Sequence, residues 1–308
     1  MVSVSDAGIP PSSEPDKARV VALGGGHGLS VALRAVRLYA DDITAIVSVA
    51  DDGGSSGRLR RDLDVVAPGD LRRCLVALAA TDSPWPRAFE HRFRAGELEG
   101  HALGNLMLVG LTETLGDLSA AIAEMAKLLH TTGRVLPATQ GPVSLTAEVG
   151  EERITGQVAI AEADAPIRDV RLEPFDAPAP PAAIEAIQRA DQIVIAPGSL
   201  YTSIVAVLCV PALRDAIAGA SAPVVQIANL LSEHETAGLD GTTHLKAVRE
   251  HGGRVDMYLY DPAHGLAVDA AAVEALGVKP VPADIAETGG IGHDPQQLAQ
   301  ALSGLLLR

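Results

Sequence analysis

Hydrophobic positions in this chain fall into two patterns that alternate. Short, nearly continuous apolar runs read as strands buried on both faces: "RVVALG" from Arg19, "ITAIVSVA" from Ile43, "QIVIAPG" from Gln192, "APVVQIAN" from Ala222 and "RVDMYLY" from Arg254. Between them apolar residues recur at helical spacing. The spacing predicts helices from Leu29 to Tyr39, from near Gly69 through Ala80, from Leu103 to Leu115 and from Leu118 to Leu129. Further helices are predicted from Ala182, from Ser199, from near Thr243 to Glu250, and from Pro295 to Leu306. Strand followed by helix followed by strand is the grammar of a parallel sheet.

One segment breaks the rhythm. From Val143 to Leu172, "VSLTAEVGEERITGQVAIAEADAPIRDVRL", the helical period is lost and turn signals stand at Gly150 and Asp164, which predicts a small antiparallel insert. Residues 1 to about 18, rich in Pro, Ser and Asp, read as a disordered tail. The expected architecture is therefore α/β: one doubly wound, mostly parallel, Rossmann-like domain over residues 19 to 308 with a β insert at about 143–172. No tandem repeat is visible.

Composition narrows the setting. The 308 residues are 47% hydrophobic, enough for a sizeable core, and carry a formal charge of −15, which argues against a nucleic-acid partner. No apolar run is long enough to span a bilayer, and the start of the chain lacks the basic and apolar regions of a signal peptide, so the expected location is the cytoplasm. Cys74 and Cys209 match no disulfide or zinc spacing and read as buried spectators. Against the acidic background Arg58, Arg60, Arg61, Arg72 and Arg73 form a basic island. It serves either to grip an oxyanion or to pair with Asp62, Asp64 and Asp70.

Four loops at predicted strand ends or helix starts carry the candidate chemistry. Gly24, Gly25, Gly26, His27 and Gly28 end the first strand, where backbone without side chains can approach a phosphate and the next helix offers free N–H groups. The pattern fits neither G-x-G-x-x-G nor Walker A, and tight strand-to-helix packing would also use such glycines. After the second strand come Asp51 and Asp52, placed to hold sugar hydroxyls or a divalent ion such as Mg²⁺. Gly53, Gly54, Ser55 and Ser56 follow as an anion nest or an exposed turn. In "APGSLYTSI" Gly198 lets the backbone approach a ligand, and Ser199, Leu200, Tyr201, Thr202 and Ser203 open a helix whose hydroxyls either cap it or bind phosphate. Asn105 in "GHALGNL" and Asn229 at the end of "VVQIAN" are amides suited to a base or sugar, or to a turn. His27 is the one histidine inside a phosphate-type loop. No Ser-His-Asp, Cys-His or H-x-x-x-H arrangement has local support, and these loops contain no lysine.

The stretches "GGGHGLS", "VSVADDGGSSGRLRRDL", "PGDLRRCLVALA", "GHALGNL", "GRVLPAT", "APGSLYTSI" and "GHDPQQLA" closely resemble the YvcK, or gluconeogenesis factor, family of the CofD-like superfamily, from about Arg19 to the C-terminus. The resemblance implies a Rossmann-like core, binding of UDP-N-acetylglucosamine, and a role in envelope synthesis, peptidoglycan and cell shape linked to central carbon use. It also implies a cytoplasmic protein partner in envelope-precursor synthesis, and a homo-oligomer is expected. Two departures stand out. Many members have Thr in place of His27, and the family's Gln-Pro-Gly-Glu-Thr type loop is replaced by "LLSEHETAGLDGTTHL", which keeps Glu235 and Thr236. A regulatory binding protein is the leading expectation. The rival is a CofD-like transferase acting on a nucleotide diphosphate donor, with Asp51 or Asp52 on a metal. A dehydrogenase lacks the glycine fingerprint.

Overall fold

The computed structural model describes residues 18–306, so the expected N-terminal tail lies outside the described residues except for Ala18. The chain opens with β1 (Arg19–Gly24), α1 (Gly26–Val36) and β2 (Asp42–Val47), followed by α2 (Gly54–Leu63), α3 (Gly69–Leu78), α4 (Trp85–Glu90), α5 (Leu103–Leu115), α6 (Leu118–Leu129) and β3 (Arg134–Pro137). The insert then contributes β4 (Ser144–Val149), β5 (Glu152–Thr155), the short α7 (Gln157–Ala161) and β6 (Ile167–Glu173). After α8 (Pro181–Arg189) come β7 (Gln192–Ile195), a π-helical turn over Leu200–Val205, α9 (Ala206–Leu208), α10 (Pro211–Gly219) and β8 (Val224–Ile227). The last elements are α11 (Gly241–Glu250), β9 (Met257–Tyr260), α12 (Ala270–Ala275), β10 (Lys279–Pro282) and α13 (Pro295–Gly304).

Seven strands form one sheet in the order β10-β9-β8-β7-β1-β2-β3, and every adjacent pair is parallel. The central strands are mostly apolar because helices cover both faces: Val20 to Leu23, Ile193 to Ile195 and Val224, Val225 and Ile227 are buried, with Gln192 and Gln226 as buried polar exceptions. From β1 the chain builds outward to β2 and β3, then crosses to β7 and builds the other way. The switch point therefore lies between β1 and β7, where adjacent loops diverge and leave a crevice at the carboxyl ends. A second sheet, β5-β4-β6, is antiparallel. The α/β class and the antiparallel sheet are as the sequence pattern predicts.

Four local expectations need correction. Helix α1 begins at Gly26, three residues before Leu29, because Gly28 packs flat on the β7 loop; a Cβ there would stand 1.9 Å from the Pro197 carbonyl oxygen. The stretch after Asp52 is not an exposed turn but the start of α2, whose Gly57 lies so close to Asp52 that a Cβ would be 1.7 Å from its carbonyl oxygen. Ser199 does not cap its helix. Its carbonyl instead accepts from both Ser203 N (3.1 Å) and Ile204 N (3.0 Å), which widens the first turn to π geometry. Finally, β10 carries Pro280 and Pro282, which an edge strand tolerates and which hide it from a search for apolar alternation.

Candidate functional site

A cavity of about 390 Å³ opens at the switch point, between the loops that follow β1, β2 and β7 and the first turns of α2, α3 and α5. Of the sequence-derived candidates, Gly26, His27, Asp51, Gly53, Gly54, Ser55, Ser56, Arg72, Asn105, Ser199, Thr202 and Ser203 line it. Residues from five stretches of the sequence therefore meet in one place.

The other candidates stand behind the wall and hold it. Asn229 is no free amide: its Oδ1 accepts from Gly198 N (3.0 Å) and its Nδ2 donates to Gly198 O (2.8 Å), clamping the β8 loop to the β7 loop. Leu200 and Tyr201 are buried in the core, and the Tyr201 N–H donates to Glu235 Oε1 at 2.9 Å. Glu235, kept from the family loop, is thus a backbone anchor for the π turn, and Thr236 takes part in a capping box with Glu233. Gly24, Gly25 and Gly28 pack against neighbouring segments: a Cβ on Gly25 would lie 2.9 Å from Asp70 Oδ2 and 3.1 Å from Ser203 Oγ.

Asp52 is corrected as a metal candidate. Its two carboxylate oxygens accept from Gln157 N (3.0 Å) and Val158 N (2.9 Å), the first turn of α7, so the insert is tied to the core through it. Replacing Asp52 by Ala is expected to cost about 1 kcal/mol and to speed amide exchange across α7 and β5. Hydrogen exchange followed by mass spectrometry reads this directly; unchanged exchange there would show that the insert docks without the clamp. Asp51 keeps one carboxylate oxygen for the cavity, since only Oδ1 is engaged, by Gly53 N at 2.9 Å.

The basic island disperses. Arg58 donates to Glu99 O, Arg60 binds Ala50 O, Val143 O and Ser144 Oγ and so ties the insert to the core, and Arg61 is exposed. Arg72 and Arg73 face the cavity, joined by Arg92. Arg72 is only 3% exposed, yet its Nε and one terminal nitrogen have no partner. Burial, with the like charges of Arg73 and Arg92, pushes its guanidinium down to about 10. A buried cation with idle donors, aimed at a cavity, is arranged for an anion. Gly104 makes room for it, because a Cβ there would lie 2.9 Å from Arg72 Cγ and 2.8 Å from the Phe89 ring.

Asp70 is the residue that sequence reasoning misplaced, treating it only as a partner for the arginines. Its Oδ2 accepts from Gly26 N at 2.5 Å and its Oδ1 pairs with Arg73 at 2.6 Å. A carboxylate thus already sits on a free amide of the glycine loop, the place where a phosphate was expected. Burial raises its pKa, Arg73 opposes the rise, and the charge of Asp51 adds to it. Ser48 and Gly69, which lie within the quoted motifs, also line the cavity, as do Arg92 and Gln157, which carry no sequence signal. Hydroxyl residues line it from three sides: Ser48 after β2, Ser55 and Ser56 in the first turn of α2, and Ser199, Thr202 and Ser203 after β7.

Cys74 is fully buried and Cys209 half-buried, its thiol donating to Val170 O at 3.2 Å and pushed by burial up to about 12. Neither reaches the cavity. Among the described residues no single helix is long and apolar enough to cross a membrane.

A doubly wound parallel sheet with a polar cavity at its switch point places the chain among Rossmann-like α/β proteins. Its residues 20–291 match the family model described as 2-phospho-L-lactate transferase CofD, and the chain belongs to that family. Within it the similar proteins are gluconeogenesis factors. That of Bacillus subtilis (strain 168) is 43% identical over 240 residues, 77% of this chain and 76% of that protein. That of Listeria monocytogenes is 38% identical over 309 residues, 94% and 96% of the two chains. A crystal structure of a UPF0052 family member from Bacillus halodurans superposes with a TM-score of 0.90 at 38% identity, covering 93% of this chain and 99% of that one.

Proposed function

We propose that this chain is a cytoplasmic regulator that binds UDP-N-acetylglucosamine in the switch-point cavity, and that occupancy alters its affinity for a protein partner in envelope-precursor synthesis, in step with central carbon use. The supporting observation is the buried Arg72 guanidinium with idle donors at the cavity wall. With Arg73 and Arg92 it suits a diphosphate. The diphosphate lies toward these arginines, away from the Gly26 amide that Asp70 occupies. Coupling between ligand and partner is reciprocal, so the partner must shift ligand affinity by the same factor.

A thermal-shift panel of UDP-sugars, UTP, GDP-sugars and NAD, with and without magnesium, tests the reading. UDP-N-acetylglucosamine at about 100 times its dissociation constant is expected to add roughly 2.7 kcal/mol. A larger shift with NAD or GDP-sugars would overturn the ligand assignment. The second reading is a CofD-like transferase, favoured by two carboxylates, Asp51 and Asp70, on the same cavity wall, where a divalent ion would be held. Prolonged incubation with the nucleotide sugar and magnesium separates the two. A regulator returns the ligand unchanged, whereas release of UMP supports transfer.

A further inference from the structure

Ser55 meets His101 and Asn105, 46 and 50 positions further along the chain, in a buried chain of hydrogen bonds at one corner of the cavity. Ser55 and Asn105 line it, 5% and 1% exposed, and His101 lies behind them at 8%. Asn105 Nδ2 donates to Ser55 Oγ at 3.0 Å, and Ser55 Oγ stands 3.1 Å from His101 Nδ1. A hydroxyl carries one hydrogen and two lone pairs. Asn105 occupies one lone pair. Burial, reinforced by the charge of Arg58, pulls the His101 pKa down and keeps the ring neutral. A neutral imidazole in its common Nε2–H form leaves Nδ1 to accept the Ser55 hydrogen.

What remains toward the cavity has one polarity. Ser55 keeps a lone pair and no hydrogen, and Asn105 Oδ1 is buried with no partner. Two acceptors side by side repel a phosphate oxygen and require a donor. Arg72, whose stem packs against Gly104 beside Asn105, shows the opposite: donors without acceptors. We propose that the Asn105–Ser55–His101 chain forms an acceptor corner that takes a neutral hydrogen-bond donor of the ligand, a hydroxyl or an amide N–H, and thereby sets how the ligand is turned beside the arginines. The assignment rests on the nucleotide-sugar reading. His101 acts as a positioning residue by holding the Ser55 hydrogen away from the cavity.

The test is calorimetry with three probes, UDP-N-acetylglucosamine, UDP and inorganic pyrophosphate, on wild type, Ser55→Ala and His101→Ala. Ser55→Ala is expected to weaken UDP-N-acetylglucosamine roughly 5- to 20-fold, the scale of one lost hydrogen bond in a buried site, and to leave pyrophosphate unchanged. If UDP is unchanged too, the donor belongs to the sugar; if UDP weakens in parallel, it is the base N–H. His101→Ala frees the Ser55 hydrogen and is expected to reverse the preference, tightening pyrophosphate while weakening the nucleotide sugar, a reversal that a merely structural role would not produce. Equal weakening of all three probes by Ser55→Ala would mean that Ser55 donates to phosphate, and overturns this assignment alone. Wild-type protein that binds neither nucleotide overturns the nucleotide-sugar reading and this assignment with it.

Discussion

Replacing Arg72 by Met is expected to abolish ligand binding and, at the same time, to make the free protein more stable. The side chain is 3% exposed, its Nε and one terminal nitrogen are unpaired, and burial pushes its pKa down to about 10. The depressed value states a cost: the charged guanidinium is worse off in the fold than in the unfolded chain. Met fills much of the same volume without a charge, so the variant should gain about 1–3 kcal/mol, the usual scale for relieving a poorly compensated buried ion. For a chain of this size that is a few degrees in Tm. Binding moves the other way. Truncating one partner of a buried, charge-assisted contact costs about 2–5 kcal/mol, so affinity for UDP-N-acetylglucosamine should fall at least roughly 30-fold. Calorimetry and a denaturant titration on the same sample read both effects. A variant that binds normally removes Arg72 from the site; one that binds poorly and is also less stable shows that the guanidinium is chiefly a structural strut.

The reason such a residue can be found only in part from sequence is visible in its neighbours. Arg72 drew attention because five arginines crowd into a short stretch of an acidic chain, yet the stretch gives no sign of which ones face inward. Helical spacing sorts them: Arg60 turns to the insert, Arg72 and Arg73 to the cavity. Apolar runs revealed the central strands because both faces of a parallel sheet are buried, and they missed β10 because its prolines survive only at an edge. The glycine loop was read as an open phosphate cradle. Its openness depends on Asp70, 44 residues after Gly26, and no local pattern reports what a distant side chain will occupy. The same limit applies to Asn229, whose amide is spent on Gly198, and to Ser55 and His101, 46 positions apart and in contact. Glycine identity alone could not separate Gly28, which has no room for a Cβ, from Gly54, which meets nothing within 4 Å and is needed for its positive φ of 49°.

Asp70 supplies the second large effect, because it places a carboxylate in a cavity argued to hold an anion. With metal removed by EDTA, Asp70→Asn is expected to bind UDP-N-acetylglucosamine more tightly than wild type, roughly 30-fold. Two unit charges several Å apart at an effective dielectric of about 20 repel by about 1–3 kcal/mol. The amide can still accept from Gly26 N through Oδ1, while the loss of the ion pair frees Arg73 for the ligand. The pH dependence follows from burial, which raises the Asp70 pKa in the fold. Above the unfolded carboxylate value of about 4, the folded chain holds a proton that the unfolded chain has released. Wild-type stability therefore falls as pH rises from that value through the raised one. Metal-free affinity falls over the same rise, as the ionised carboxylate begins to repel phosphate. In Asp70→Asn both slopes should flatten. Under the transferase reading a divalent ion takes Asp51 Oδ2 together with Asp70, displacing Arg73 from it, so magnesium should reverse the ranking, the variant having lost one of the two ligands. Weaker binding by the variant in EDTA would mean that the carboxylate itself accepts a donor from the ligand.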